Sequence, residues 1–408
     1  MPKLSRSAIL VACLGLTQIA GYGSIYYSFS ILAGDIAHEF GNTSSWFFFI
    51  LSVSFIAGGL VMPFAGRLFD HFGSARLMAA GSLLCGIFLL LTASTHHPWS
   101  FALGMCLIQI FSGFVLYDSA FTTIVQSGIG GSQNMIMFLT LLAGFASSLF
   151  WPLTSWLDGL IGWRWTFVLY AGLNLLVCFP VHYWISRNFS RPGPPVHMPH
   201  VVPKIDEQAN AHDPIDAATS RRLMIMVTAG FAISGVTLSA VLSQMVPMLQ
   251  ALGMGSMSLL VSTLFGPSQV AMRGIQIFFG KYSTPLAMTI FSLTLLPLGL
   301  AILAATAPSL TGAIIFAVLV GLASGLKSIV QGTLPLAVFG RRGYGSRIGI
   351  MSGVRYVMAA VAPFAFSWFS EVTSTRISAI TFTAIGVIGL ACFADVITIM
   401  RRRSLTKV

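Results

Sequence analysis

Residues 187–222 read RNFSRPGPPVHMPHVVPKIDEQANAHDPIDAATSRR, and no other stretch of the chain has this composition. Its prolines and mixed charges suit an extended connector with no apolar face to bury. Apolar runs lie before it at about 8–33, 46–65, 77–94, 100–125, 135–157 and 164–185. Six more follow at about 222–247, 257–279, 286–307, 311–336, 348–370 and 377–400. Each is close to the roughly 20 residues that cross a hydrocarbon core. This pattern predicts an all-α membrane protein with twelve transmembrane helices in two six-helix bundles. The bundles are expected at 1–186 and 222–408, joined by a linker at 187–221.

Composition agrees. Of 408 residues, 56% are hydrophobic and 8% charged, against about 25% charged in soluble domains, so the chain cannot clothe a water-facing surface. Soluble enzymes and nucleic-acid binders are thereby excluded. The net charge of +11 is then a matter of loops. Placing the N-terminus in the cytosol puts seventeen of the 22 Lys and Arg residues on that side. Only Arg164 and Arg376 fall on the other, while Arg273, Lys327 and Arg355 lie within spans. Both termini are expected in the cytosol, and the location expected is the plasma (bacterial inner) membrane. The first run extends beyond signal-peptide length with no small-residue cleavage site, so it reads as a retained span. The five cysteines all sit in apolar runs and read as packing residues. His96 and His97 have no third ligand at metal spacing, and no phosphate-binding loop precedes a Lys-Ser or Lys-Thr pair. No metal, cofactor or catalytic residue is expected, and the protein is read as a monomer.

The two halves echo each other. Ile124-Val125-Gln126 in the fourth span matches Ile329-Val330-Gln331 in the tenth, and Pro152 in the fifth matches Pro363 in the eleventh. Each pair is six spans apart, as duplicated transporter halves require.

Between the second and third spans lies Gly66-Arg67-Leu68-Phe69-Asp70-His71-Phe72-Gly73-Ser74-Ala75-Arg76. It resembles the loop signature of the major facilitator superfamily, Gly-x-Leu-x-Asp-Arg-x-Gly-Arg-Arg. Gly66, Leu68, Asp70 and Gly73 match, whereas His71, Ser74 and Ala75 replace basic positions and Arg76 falls one step late. With the twelve-span layout, the resemblance covers essentially the whole chain. It implies bundles packed around a central cavity lined by the first, fourth, seventh and tenth helices, and transport by alternating access. It also implies that Asp70 engages the start of the eleventh span near Ser346 and Arg347 and locks the outward-facing state. Gly162-Trp163-Arg164-Trp165-Thr166-Phe167 is similar to the superfamily's entry to the sixth helix. The fifth-span pattern of its drug/proton antiporters, Gly-x-x-x-Gly-Pro-x-x-Gly-Gly, keeps only Pro152 within Ser147–Trp156, which counts against drug export. A finer similarity joins Gly266-Pro267-Ser268-Gln269-Val270-Ala271-Met272-Arg273 to the monocarboxylate and oxalate/formate-like branches. It implies that Arg273 binds a carboxylate. The acid usual four residues earlier is Gln269 here, and the first span lacks the basic residue of many members.

Charges inside spans carry the rest. Insertion scales put each at roughly 2.5–3.5 kcal/mol near mid-membrane, so they belong where they face protein or water. Asp118, Arg273, Lys327 and Arg355 lie about 6–9 residues from the cytosolic ends of their spans, roughly 9–14 Å deep at about 1.5 Å per residue. A shared depth on four helices predicts one site, with a sum of +2 that favours an anion. Asp118 is expected to pair with Arg273 or Lys327, or to take up a coupled proton. Gln18, Tyr22 and Tyr26 recur every four residues as one polar-aromatic stripe, and Gln331, Ser243 and Gln244 are further candidates. Asp395 is expected to face the interface or to pair locally with Arg401–Arg403. The sequence therefore predicts secondary transport of a small organic anion, a monocarboxylate, with proton symport. Efflux of drugs or metabolites is the alternative.

Overall fold

The computed structural model describes residues 5–189, 216–279 and 283–405. Most of the expected linker, 190–215, falls outside them. Ten helical stretches are long and apolar enough to cross a membrane. One of these, Ser132–Asn188, turns back at Gly162, whose φ of 77° suits a residue without a Cβ, and so crosses twice. A further crossing joins Met257–Thr263 to Phe265–Phe279 at Leu264. Among the described residues the spans are thus Arg6–Glu39, Ser44–Phe72, Ser74–Ala93, Pro98–Gln126, 132–161, 163–188, Ala217–Met254, 257–279, Pro285–Thr306, Leu310–Phe339, Tyr344–Val372 and Thr375–Leu405.

The two halves pack alike. In the first, the second and third spans lie on the fourth, the sixth on the third, and the fifth and sixth on the first. Every one of these pairings recurs six spans later: eighth and ninth on tenth, twelfth on ninth, eleventh and twelfth on seventh. Apolar side chains such as Leu60, Phe64, Leu176 and Phe364 project from the outside, where lipid rather than water is the solvent.

Arg6 donates to the carbonyl of Asn188 (3.0 Å), so the start of the first span and the end of the sixth share a face, here the terminal face. The halves meet most extensively through the second and eleventh spans. Gly59 and Gly66 oppose Gly345, Gly349 and Gly353 so closely that a Cβ on Gly66 would stand 2.4 Å from the Gly345 carbonyl oxygen. One on Gly349 would stand 2.4 Å from that of Met62. Backbone meets backbone here, which only small residues permit. The remaining extensive contacts between the halves run fifth to eighth, fifth to tenth and fourth to eleventh, through the segments nearest the terminal face.

Candidate functional site in the membrane interior

The spans around the centre are interrupted where chemistry-bearing residues sit. In the first, Tyr22–Tyr27 is a π-helical segment within α-helix. Its wider turn breaks the four-residue register expected for Gln18, Tyr22 and Tyr26. Gln18 leaves the stripe: it is fully buried and its Nε2 donates to the Val115 carbonyl at 2.6 Å. That carbonyl is free because the fourth span breaks between Ser112 and Tyr117, leaving helix-end groups that need partners. The π segment instead gathers rings. Tyr22 lies 4.7 Å from Tyr117, 5.9 Å from Tyr26 and 6.2 Å from Tyr27, centroid to centroid. Nothing in an unbroken helical period selects Tyr27 or Tyr117, so the sequence alone does not single them out.

The fourth span restarts at Tyr117, which puts Asp118 in a first helical turn where a carboxylate is favoured. Asp118 is 4% exposed and reaches across to the eleventh span. Ser352 Oγ donates to its Oδ1 at 2.7 Å, and the Tyr356 hydroxyl donates to its Oδ2 at 2.9 Å. Arg355 stands 3.6 Å from the carboxylate, donates to Ser352 Oγ at 3.1 Å and lies over the Tyr356 ring. The charge partner of Asp118 is therefore Arg355, not Arg273 or Lys327. The reason is geometric: Ser352, Arg355 and Tyr356 lie within one helical turn and converge on it together.

Lys327 and Arg273 have no acid partner among the described residues. Each is only 5% exposed. Lys327 Nζ donates to Ser234 Oγ in the seventh span (3.2 Å), beside Gly235, whose missing Cβ leaves room for the stem of Arg355. Arg273 donates from Nε to Ser328 Oγ in the tenth span (3.3 Å), while its buried Nη1 has no hydrogen-bond partner. A Cβ on Gly144 would stand 2.1 Å from that Nη1. Gly144 occupies a break in the fifth span, between helices Ser132–Ala143 and Ala146–Leu173. Arg273 thus lies against the opposite half, within electrostatic reach of Tyr27 and Tyr117. Neither long side chain rises to the membrane surface. Gln331 is half-buried one turn beyond Lys327, Ser243 bonds to its own helix, and Gln244 is half-buried.

At the terminal face Asp70 accepts from the backbone N–H groups of Gly345 (3.0 Å) and Ser346 (2.7 Å) and from Ser346 Oγ. These are free donors at a helix start, so carboxylate and helix dipole act together. Gly73 turns the chain with φ 87°, and Gln126 bonds both Phe69 O and Ser74 N, fixing the loop to the fourth span. Arg347 engages the carbonyls of Phe339 and Arg342 instead, and Arg76 is exposed. A second link across the halves joins Arg341 to Ile129 O and Ser132 Oγ, both at 3.3 Å. Asp395 pairs with Arg222 of the seventh span, which the twelfth packs against, while the side chains at 401–403 lie outside the described ones.

Far from this face, Arg164 donates to Glu39 and to the Ala93 carbonyl, joining the first, third and sixth spans. Its repeat counterpart, Arg376, donates to the Ala307 carbonyl at the end of the ninth span. No group of three side chains able to hold a metal occurs among the described residues.

Comparison with known proteins agrees with this geometry. The family model described as Major Facilitator Superfamily matches residues 14–363. Among solved structures, the chain is similar to the human organic anion transporter MFSD10 (TETRAN) at 14% identity and a TM-score of 0.70, over 95% of this chain and 100% of that one. It is similar to the E. coli fucose:proton symporter FucP in the outward conformation at 12% identity and a TM-score of 0.67, over 95% and 98%. The proton:xylose symporter XylE, bound to 6-bromo-6-deoxy-D-glucose, matches at 14% identity and a TM-score of 0.68, over 95% and 96%. No curated protein sequence matches the chain.

Proposed function

The chain belongs to the major facilitator superfamily, and from that membership we propose that this transporter moves a small organic anion, a monocarboxylate, by alternating access with proton symport. The observation that carries the anion is Arg273: a buried guanidinium with an unpartnered Nη1, held by one hydroxyl and turned toward the opposite half. Guanidinium offers a planar fork that matches two carboxylate oxygens. Lys327 adds a second uncompensated positive charge, and Arg355 is neutralised by Asp118. Two structural neighbours are named as proton symporters and one as an organic anion transporter.

Asp118 is the proposed proton site, because it joins the halves. Its bonds to Ser352, Arg355 and Tyr356 must break when the bundles rock apart at the terminal face. Protonation removes the charge that holds Arg355 and so lowers that barrier. The excess of Lys and Arg assigns the terminal face to the cytosol. With that face sealed by the Asp70 contact and the glycine pairs, this is the outward-open conformation, and 187–221 serves as a cytosolic tether between bundles 1–186 and 222–408. Purified protein in proteoliposomes, given labelled monocarboxylates with and without an inward proton gradient, tests the proposal. Gradient-stimulated accumulation is expected. Absence of flux for every carboxylate overturns the anion assignment, and gradient-independent flux overturns symport.

A further inference from the structure

Four tyrosines meet at the centre of the first half, three from the π segment of the first span and one from the restart of the fourth. Tyr26 and Tyr27 are edge-on at 5.2 Å, and Tyr22 lies between them and Tyr117. Tyr26 is 43% exposed and the others are partly so, with Tyr117 stacked on Phe121 at the edge of the core. Their hydroxyls have no protein partner among the described residues. Cations of the other half lie within electrostatic reach: Arg355 of Tyr22 and Tyr26, and Arg273 of Tyr27 and Tyr117.

The amide N–H donors and the acid that could bind a polyhydroxylated cargo are largely engaged within the protein. Gln18 is bonded to Val115 O, Asn174 to Ser24 Oγ and Tyr170 O, Gln269 to Ser324 Oγ, and Asp118 to Ser352 and Tyr356. What remains is an open group of rings beside an unpartnered cation. Rings recognise flat π faces by offset and edge-on contact, and the cation recognises a carboxylate.

We propose that the cargo is an aromatic monocarboxylate, its ring held among Tyr22, Tyr26, Tyr27 and Tyr117 and its carboxylate on Arg273. This rests on the anion reading above and narrows it. The two parts of the ligand are then bound by different halves, so occupancy itself draws the halves together.

The test is direct binding of benzoate, cyclohexanecarboxylate and gluconate to the full-length purified protein at pH 7, where all three carry one negative charge. Benzoate and cyclohexanecarboxylate differ little in size, and only the first is flat and aromatic. Benzoate is expected to bind more tightly by roughly 2- to 12-fold, with gluconate the weakest of the three. In Tyr27→Leu and Tyr117→Leu the ratio of the first two affinities is expected to fall toward one. A ratio does not depend on the fraction of protein that folds. Equal affinities in the wild type, a preference for gluconate, or a ratio that survives both substitutions overturns the aromatic assignment while leaving the anion site standing. If none of the three binds, the anion site fails, and this inference falls with it.

Discussion

The two halves share a scaffold and divide the chemistry. Both use the same helix pairings, and both send an arginine from the start of the last span to a carbonyl at the end of the third. Yet the first half supplies the tyrosines and one acid, whereas the second supplies Arg273, Lys327 and Arg355. Packing constrains both halves alike because small residues and backbone carbonyls decide how closely helices approach. Ionisable side chains do not follow the repeat, since each must find its own partner in a medium that penalises unpaired charge. The difference means that, on the proposed reading, the site needs both halves. A cargo bridging rings on one side and cations on the other reports the relative position of the bundles.

The most severe break removes the acid that the first half extends to the second. Asp118→Ala leaves Arg355 buried, without its counter-charge and beside Lys327. Breaking a buried pair from one side costs about 3–5 kcal/mol. A clear fall in the unfolding temperature of the purified protein is expected, and Arg355→Gln on top of it should restore part of the loss. If the Asp118→Ala protein melts like the wild type, the halves are not held by this pair. Asp118→Asn separates structure from coupling. It is expected to keep exchange of substrate for substrate and to lose gradient-driven accumulation.

Next comes Arg273, the second half's own contribution. Arg273→Lys keeps the charge and loses the fork, and lysine is shorter than the distance to Gly144 requires. Loss of a charge-assisted hydrogen bond costs about 1.5–3 kcal/mol, or roughly 10- to 150-fold in affinity. Arg273→Ala should abolish binding. Carboxylate affinity unchanged in Arg273→Lys would show that the guanidinium is a packing group, and the division of labour between halves would have to be redrawn.

These partners mark what the sequence could and could not disclose. Hydropathy revealed twelve crossings because a hydrocarbon core imposes one length and one polarity on every span. It revealed Asp70, whose glycine-flanked loop is local. It also singled out the four interior charges, since charge in a span is conspicuous. It did not reveal that Asp118 pairs with Arg355, which lies 237 positions away and competes with two other cations at similar depth. Ser352, Tyr356, Ser234 and Ser328 went unread because hydroxyls are unremarkable in spans. The π segment at Tyr22–Tyr27 and the breaks near Gly113 and Gly144 depend on tertiary packing, as where Phe150 fills the space over Gly23. With the register shifted there, Gln18 left the stripe and Tyr27 joined it.

A milder break concerns the link at the terminal face. Asp70 favours the sealed state through free N–H groups at a helix start, an effect of about 0.3–2 kcal/mol depending on exposure. Asp70→Ala should shift the balance toward the open terminal face and slow transport at equal membrane abundance. Asp70→Asn, which keeps an acceptor oxygen, should do less. Rates equal to wild type in Asp70→Ala would leave the glycine pairs as the sole determinant of closure.

The smallest effect sharpens the comparison of the halves directly. Arg164 and Arg376 occupy equivalent places, but Arg164 also binds both its own Glu39 and the ring face of Trp163, while Arg376 has the Ala307 carbonyl. If the repeat is a matter of helix ends, the carbonyl bond is the shared element and Glu39 an addition peculiar to the first half. Glu39 is 44% exposed and Arg164 25%, so water screens the pair and about 0–1 kcal/mol is expected from it. Arg164→Gln and Arg376→Gln should therefore each lower stability modestly, with Arg164→Gln the greater by that amount together with about 0.5–1 kcal/mol from the ring contact. Glu39→Gln should remove the ion-pair part of the excess and leave the part due to the Trp163 ring face. A double-mutant cycle between Glu39 and Arg164, followed by thermal unfolding, measures the term. A coupling well above 1 kcal/mol would mean that the first half depends on an ion pair where the second needs only a carbonyl, and the scaffold itself would no longer be common to both.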